Sequence, residues 1–119
     1  MEYHTMKLLV AAIPLLAGAW ICFPQQAHSQ TVFQLTVKDH HFEPDHITVP
    51  AGERFMIELN NQDTTTDELE SYDMKFEKIV VPQGTIKVHA GPLHPGTYTF
   101  FDDYHPDEAK GTVTAEEKK

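Results

Sequence analysis

The sequence predicts an all-β protein, a two-sheet antiparallel sandwich of about seven to eight short strands that follows a cleavable signal helix. Three observations support this fold class. Apolar and polar residues alternate in short runs, as in residues 33–37, and strands with one buried face have this period of two. Proline and glycine turn sequences, such as residues 50–52 and 82–84, separate the runs. No stretch of the chain after residue 30 shows a sustained helical period.

The predicted strands are spread along the chain after residue 30. They span residues 33–37, 47–49, 55–59, 78–81, 85–88, 98–101 and 111–114. Two segments break the pattern: residues 61–77 form a long, acid-rich connection, and residues 102–105 place two carboxylates and an imidazole directly after an aromatic strand. Long loops in small domains are usually functional or disordered, and buried carboxylates need partners. Both segments are therefore predicted to contribute to a site.

Residues 1–29 have the layout of a secretory signal peptide. Lys7 precedes an apolar run over residues 8–23, and small residues, Ala27 and Ser29, occupy the positions that determine cleavage. The alternative, a membrane anchor, needs about 20 apolar residues to cross the bilayer core, and this run is shorter. We therefore predict cleavage near Ser29, one domain over residues 30–119, and a soluble protein in the periplasm.

The chain is acidic, with a formal net charge of −9. The predicted leader holds one of the 18 acids and one of the nine bases, so the mature domain retains 17 acids and eight bases. This charge argues against nucleic acid as a partner and is compatible with binding of cations. Cys22 is the only cysteine and lies in the leader, so the mature domain is predicted to have no disulfide and no thiolate metal ligand.

Four landmarks follow one another along the mature chain. They are the sequence FEPDHITVPAG of residues 42–52, the sequence LNN of residues 59–61, the turns at residues 81–84 and 91–96, and the loop GTYTFFDDYHPDEAKG of residues 96–111. Together they resemble the cupredoxins, and more closely the cysteine-less cupredoxin-like proteins that accompany bacterial ferrous-iron permeases. The resemblance covers almost the whole mature chain and implies a cupredoxin-like Greek-key β-sandwich.

The resemblance also shows which copper ligands this chain lacks. The family's cysteine falls at Asp102 and its second histidine at His105, whereas its first histidine falls near Glu68 or Glu70. The family's axial methionine falls in residues 108–110, where no methionine occurs. A blue-copper centre requires a copper–thiolate bond, so we expect this domain to be neither blue nor a conventional electron carrier.

Acids stand where those ligands would project, so the sequence predicts a hard oxygen site with one imidazole. The predicted metal ligands are His105, Asp103, Asp102, Glu70, Glu68 and Glu77. Side chains two apart on an extended segment share a face, so Glu68 can pair with Glu70 and Asp103 with His105, or Asp102 and His105 keep the spacing of the family loop. These alternatives remain open from the sequence. The other mature histidines are interpreted as surface residues: His40, His41, His46, His89 and His94.

The resemblance implies a periplasmic metal-binding protein of ferrous-iron uptake that binds Fe(II), oxidises it, and delivers it to an inner-membrane iron permease alongside other periplasmic iron-uptake components. Carboxylates favour Fe(III), whereas Cu(II) outcompetes Fe(II) for the same donors, so the expected metal is Cu(II) or Fe. Two alternatives come from other classes: a copper-binding or copper-trafficking protein without turnover, and a metal-free docking module. Hydrolytic chemistry is poorly supported, because the chain has no nucleophile elbow, no His-Glu-x-x-His run and no phosphate loop.

Overall fold

A computed structural model describes residues 30–119, together with the isolated positions Pro14, Gly18 and Ile21. The predicted signal helix within residues 1–29 otherwise lies outside the described residues. Among the residues that the structure describes, no helix is long and apolar enough to cross a membrane.

The domain over residues 30–119 consists of nine β-strands. They are β1 (Thr31–Lys38), β2 (His41–Glu43), β3 (His46–Pro50), β4 (Phe55–Asn61), β5 (Asp67–Ser71), β6 (Phe76–Val80), β7 (Thr85–Ala90), β8 (Gly96–Phe101) and β9 (Lys110–Glu116). All seven strands predicted from alternation are present within a few residues of their expected bounds. The strands β2 and β5 were not predicted.

The strands form the predicted two-layer sandwich. One sheet has the order β2-β1-β4-β7, and the other has the order β3-β9-β8-β5-β6. The pairing is mostly antiparallel, as predicted, but β1 pairs with β4, and β3 with β9, in parallel. The chain passes from β1 through β3 in the opposite sheet before it returns as β4, and such a crossover leaves β1 and β4 running in the same direction.

The core lies between the two sheets, where every second residue of a strand points inward. In β4, for example, Phe55, Ile57 and Leu59 are buried and alternate with more exposed residues. Phe42 of β2 and Phe100 of β8 meet edge to face across the sandwich, with ring centroids 5.1 Å apart. This aromatic pair ties the short β2 strand to the opposite sheet.

Residues 61–77 differ most from the expectation of a long acidic loop. The middle of this segment is β5, whose residues are all buried, although only Leu69 is apolar. It pairs along its length with β6 and at Glu70 with Phe101 of β8. Because β5 is an inner strand of its sheet, its acids are enclosed by neighbouring strands rather than solvated.

Gly111 marks a close approach within the second sheet. It lies directly opposite Phe100, and a Cβ atom at this position would collide with the Phe100 ring and lie 2.8 Å from the carbonyl oxygen of Asp45. The absence of a side chain therefore lets the Phe100 ring lie over the β9 backbone.

Candidate metal centre

One end of the sandwich begins with a tight hairpin between β1 and β2. Lys38 pairs with His41, so Asp39 and His40 form a two-residue turn, with φ angles of 51° and 59°. Positive φ at both central residues is the requirement of a type I′ turn, and aspartate and histidine tolerate this region better than most residues. The turn places the His40 ring at the end of the sandwich.

The carboxylate of Asp63 holds this turn in place. Its Oδ1 accepts a hydrogen bond from the backbone N–H of Asp39 at 2.6 Å, and its Oδ2 accepts one from the N–H of His40 at 3.3 Å. Asp63 is positioned in turn by the buried Asn61, whose Oδ1 accepts from the Asp63 N–H at 2.8 Å. The Asn61 amide also donates to the carbonyl of Thr65 at 2.9 Å, so one buried side chain fixes the connection that leads into β5.

His105 reaches the same point from the turn between β8 and β9. Its N–H donates to the carbonyl of Asp102 at 3.0 Å, and its own carbonyl accepts from the N–H of Ala109 at 2.9 Å, so the turn is closed on itself. The imidazoles of His105 and His40 are stacked, with centroids 3.5 Å apart and planes inclined by 26°. Their side chains are 30% and 31% exposed, so solutes can approach both rings.

Asp67, the first residue of β5, lies beneath the two rings and is fully buried. Its Oδ1 is 3.7 Å from Nδ1 of His40 and 3.9 Å from Nε2 of His105. Neither oxygen of Asp67 has a hydrogen-bond donor, and the buried Nδ1 of His40 also lacks a partner. Unpartnered buried polar atoms are costly, so this arrangement calls for a proton or a cation between the groups.

Electrostatics point the same way. Burial raises the pKa of the Asp67 carboxyl to about 8, and the neighbouring carboxyls of Asp102 and Asp63 add to the rise through hydrogen bonding and through their negative charge. A hydrogen bond between Asp67 and either neighbour exists only while Asp67 is protonated, because its ionised carboxylate and theirs are all acceptors. The pKa of Asp63 moves the other way: burial alone would raise it, but hydrogen bonds from Asp67 and from the backbone of the hairpin turn hold it below its usual value.

Asp102 has one oxygen engaged by the backbone and one left over. Its Oδ1 accepts hydrogen bonds from the N–H groups of Glu68 and Tyr104, each at 3.0 Å. Its Oδ2 is buried without a partner. Asp102 thus joins the β8–β9 turn to β5 and leaves one oxygen facing the same carboxylate-rich interior.

His40, Asp67 and His105, which we name the histidine centre, place one donor atom each within 4.8 Å of one another. Two imidazoles and one carboxylate form a donor set that suits Fe(II), Cu(II) or Zn(II). Residues 30–119 contain no cysteine, so this set does not fit a blue-copper centre. A cation at the histidine centre would satisfy the unpartnered atoms of Asp67 and His40.

Comparison with known proteins identifies the family. The sequence profile of the cupredoxin-like domain matches residues 11–115, nearly the whole chain. The chain belongs to the cupredoxin-like domain family. The expected cupredoxin-like sandwich is thereby confirmed.

Solved structures agree with this family assignment. Auracyanin A, a "blue" copper protein from Chloroflexus aurantiacus, superposes with a TM-score of 0.65 over 74% of this chain and 100% of its own, at 13% identity. The metal-binding domain of a Cu(I)-exporting P-type ATPase from Streptococcus pneumoniae, solved with Cu(I), gives a TM-score of 0.66 over 72% of this chain and 85% of its own, at 15% identity. At these identities the likeness establishes the fold alone.

A relative in sequence is an uncharacterized protein of Rickettsia prowazekii (strain Madrid E). It is 40% identical over 80 residues, which cover 67% of this chain. The chain spans 64% of the length of that protein.

In this cupredoxin-like domain the residues predicted from the sequence divide between two places. His105 belongs to the histidine centre, and Asp102 adjoins it. Glu68, Glu70 and Asp103 instead place one oxygen each within 4.8 Å of one another in a separate group. The structure therefore groups Asp103 with Glu68 and Glu70, whereas His105 lies with His40 and Asp67.

Glu77 adjoins this second group rather than the histidine centre. It lies directly opposite Glu70 in the pairing of β5 with β6. The pKa of Glu68 is raised to about 7. Burial is the main cause, and the nearby carboxyl of Glu77 is the next. The pKa of Glu70 is also raised, mainly by burial and next by the negative charge of Glu77.

Sequence reasoning did not identify two members of the histidine centre. His40 was interpreted as a surface residue, and Asp67 was counted only among the acids of the connecting segment. The local sequence around His40 carries no ligand motif, because its position depends on a three-residue strand and on the distant carboxylate of Asp63. Asp67 could have been recognised only once β5 was known to turn it inward.

Proposed function

We propose that this protein is an exported, periplasmic metal-binding component of ferrous-iron uptake, which binds Fe(II) at the histidine centre, oxidises it, and delivers it to an inner-membrane iron permease. The observation that supports this proposal is the fully buried Asp67, which lies without hydrogen-bond donors beneath the stacked imidazoles of His40 and His105. A buried carboxyl group of this kind is stabilised by a proton or by a bound cation, and a cation that binds there takes the place of the proton.

Iron fits the donor set on two grounds. Two histidines and one carboxylate with open positions form the set that non-haem Fe(II) proteins use. The nearby carboxyls of Asp63 and Asp102 add negative charge, which stabilises Fe(III) more than Fe(II) and so makes oxidation of the substrate easier. Oxidation needs an acceptor, and dioxygen is the simplest: four ferrous ions reduce one dioxygen, with four protons, to two water molecules.

Copper is the second candidate, and the second imidazole favours it. Cu(II) binds nitrogen and oxygen donors more tightly than Fe(II) does. In this alternative the protein binds or transfers copper without turnover. The structural neighbours named above include a blue copper protein and a Cu(I)-binding domain, although their sites cannot be carried over at such low identity.

The decisive experiment measures oxygen consumption after rapid mixing with ferrous salt, with and without one equivalent of copper. We expect the protein to accelerate Fe(II) oxidation, and both His40→Ala and His105→Ala to slow it by at least about 10-fold, because each removes a ligand. His94→Ala is the matched control, since His94 is exposed and lies outside the histidine centre.

The outcomes separate the candidates. Tight copper binding that depends on His40 and His105, without oxygen consumption, indicates the copper-binding alternative. A protein that binds neither metal leaves only the docking module. Export needs a separate test. Mass spectrometry of the protein from the periplasmic fraction should show an N-terminus near Gln30.

A further inference from the structure

The strand β5 presents different residues to its two sides. Leu69 lies in the core and Asp67 in the histidine centre, so the odd-numbered residues point inward, whereas Glu68 and Glu70 point to the outer face of the sheet. On that face Glu77 lies opposite Glu70 on β6, and Asp103 approaches from the turn after β8. We name Glu68, Glu70, Glu77 and Asp103 the outer carboxylate group.

Two members of this group are buried in spite of their charge. Glu68 is 3% exposed and Glu70 is 8% exposed, and Oε1 of Glu68 is buried without any hydrogen-bond partner. A buried carboxylate oxygen without a donor is costly unless something compensates it. The unpartnered oxygen of Glu68 therefore indicates that a positive group is missing on the outer face.

No basic side chain supplies that positive charge. Within residues 30–119, every salt bridge involves an acid other than these four. Like charges placed opposite each other in a sheet are destabilising, and Glu70 with Glu77 is such a pair. The arrangement lowers the stability of the metal-free fold and is explained if a cation binds there.

We propose that the outer carboxylate group is a second metal site, which takes a hard, oxygen-binding cation with all its protein ligands from carboxylates. One oxygen each from Glu68, Glu70 and Asp103 lies within 4.8 Å of the others. Two oxygens on opposite sides of a calcium-sized cation are about 4.6–5.2 Å apart, so three oxygens this close together can all reach one cation of that size. The absence of nitrogen and sulfur donors disfavours Cu(I) and Zn(II).

This site goes beyond the proposed function, because none of its ligands belongs to the histidine centre. The two sites lie on opposite faces of β5 and differ in donor chemistry. One can therefore fail its test while the other passes.

The probe is terbium(III), a hard trivalent cation of about the size of Ca(II), titrated as its chloride into the full chain. Tyr72 lines the same surface pocket as Glu70 and Glu77, and its ring can sensitise terbium luminescence. Calcium, manganese and ferric iron are then added as competitors to establish which hard cation the site prefers.

We expect one terbium ion to bind at this site. Either Glu70→Gln or Glu77→Gln should lower the affinity for terbium by at least about 10-fold. Glu58→Gln is the matched control, because Glu58 is an acid of the opposite sheet that pairs with Lys87 at 3.9 Å. His105→Ala removes a ligand of the histidine centre and should leave terbium binding unchanged. Asp103→Asn alters an exposed turn residue and provides a second variant if a strand variant fails to fold.

Three results would overturn the proposal. Unchanged affinity in the Glu70, Glu77 and Asp103 variants would show that terbium binds elsewhere. Equal weakening by Glu58→Gln would indicate general surface charge rather than a site. Loss of the signal in His105→Ala would place the ion in the histidine centre.

Discussion

Replacing Asp67 with asparagine should stabilise the metal-free protein and weaken its metal binding at the same time. Asparagine has nearly the same shape as aspartate but carries no charge. Asp67 is fully buried and lies among the carboxyls of Asp63 and Asp102, so its ionisation is opposed on every side except by the two imidazoles. The substitution therefore removes, in one step, a metal ligand and a carboxyl group that the metal-free fold must keep protonated at a cost in stability.

The magnitude follows from the pKa of Asp67. This carboxyl titrates at about 8 in the folded protein and near 3.8 in the unfolded chain. At pH 7 the difference spans about three units at about 1.4 kcal/mol each, so the group destabilises the metal-free fold by roughly 4 kcal/mol. The asparagine amide is buried in the same place and leaves part of its hydrogen-bonding capacity unused, which costs about 1–3 kcal/mol. The net gain is about 2 kcal/mol, or roughly 8–16 °C in Tm for a domain of this size.

The assay is thermal unfolding at pH 7, followed by circular dichroism, in chelator and then with one equivalent of Cu(II). We expect Asp67→Asn to unfold at a higher temperature than the parent protein in chelator. With copper the difference in Tm between the variant and the parent protein should shrink or change sign. The reason is that the variant binds the metal at least about 10-fold more weakly and so gains less stability from it. Asp107→Asn, which alters an exposed acid beyond His105, is the control and should change neither value.

A single result would refute the reasoning. If Asp67→Asn lowers the Tm in chelator and retains the parent affinity for copper, Asp67 is neither a strained buried acid nor a ligand.

Three further predictions concern the same end of the sandwich and its support. The Tm in chelator should fall as the pH rises from about 4 to about 8, because the folded protein keeps the Asp67 proton that the unfolded chain loses; a level or rising profile would contradict this. Gly111→Ala should lower the free energy of unfolding by about 1–3 kcal/mol in urea titrations, because its methyl group meets the Phe100 ring, and an unchanged midpoint would show that the ring can move aside. Asp63→Ala should weaken Cu(II) binding, because the turn that carries His40 loses its acceptor, whereas Asp63→Asn should restore most of the affinity; equal loss in both would rule out this positioning role.

The sequence predicted those strands whose apolar residues alternate. Phe55, Ile57 and Leu59 form such a pattern in β4, and the core of the structure confirms it. The strand β5 has only Leu69 as an apolar residue, so no hydrophobic period could reveal it. Its burial results from its place between β8 and β6, which is a property of the whole sheet.

The candidate site was predictable only where its residues are neighbours in the chain. Alternation correctly placed Glu68 and Glu70 on one face, and the turn after β8 was recognised from its aspartates and His105. The meeting of His40 with Asp67 depends instead on the parallel pairing of β1 with β4, which brings the ends of both strands to the same side of the molecule. No local pattern encodes such a long-range pairing.

The position of β5 gives this small protein an unusual constraint. Consecutive residues of one five-residue strand serve opposite faces, so the phase of the chain decides which acids lie on the inner face of the sheet and which lie on its outer face. Adding or deleting a single residue in the segment that precedes Asp67 would exchange the two sets if the strand shifted with it, and both centres would be lost in one event. Length variation in that segment should therefore be far less tolerated than at the acidic C-terminal tail.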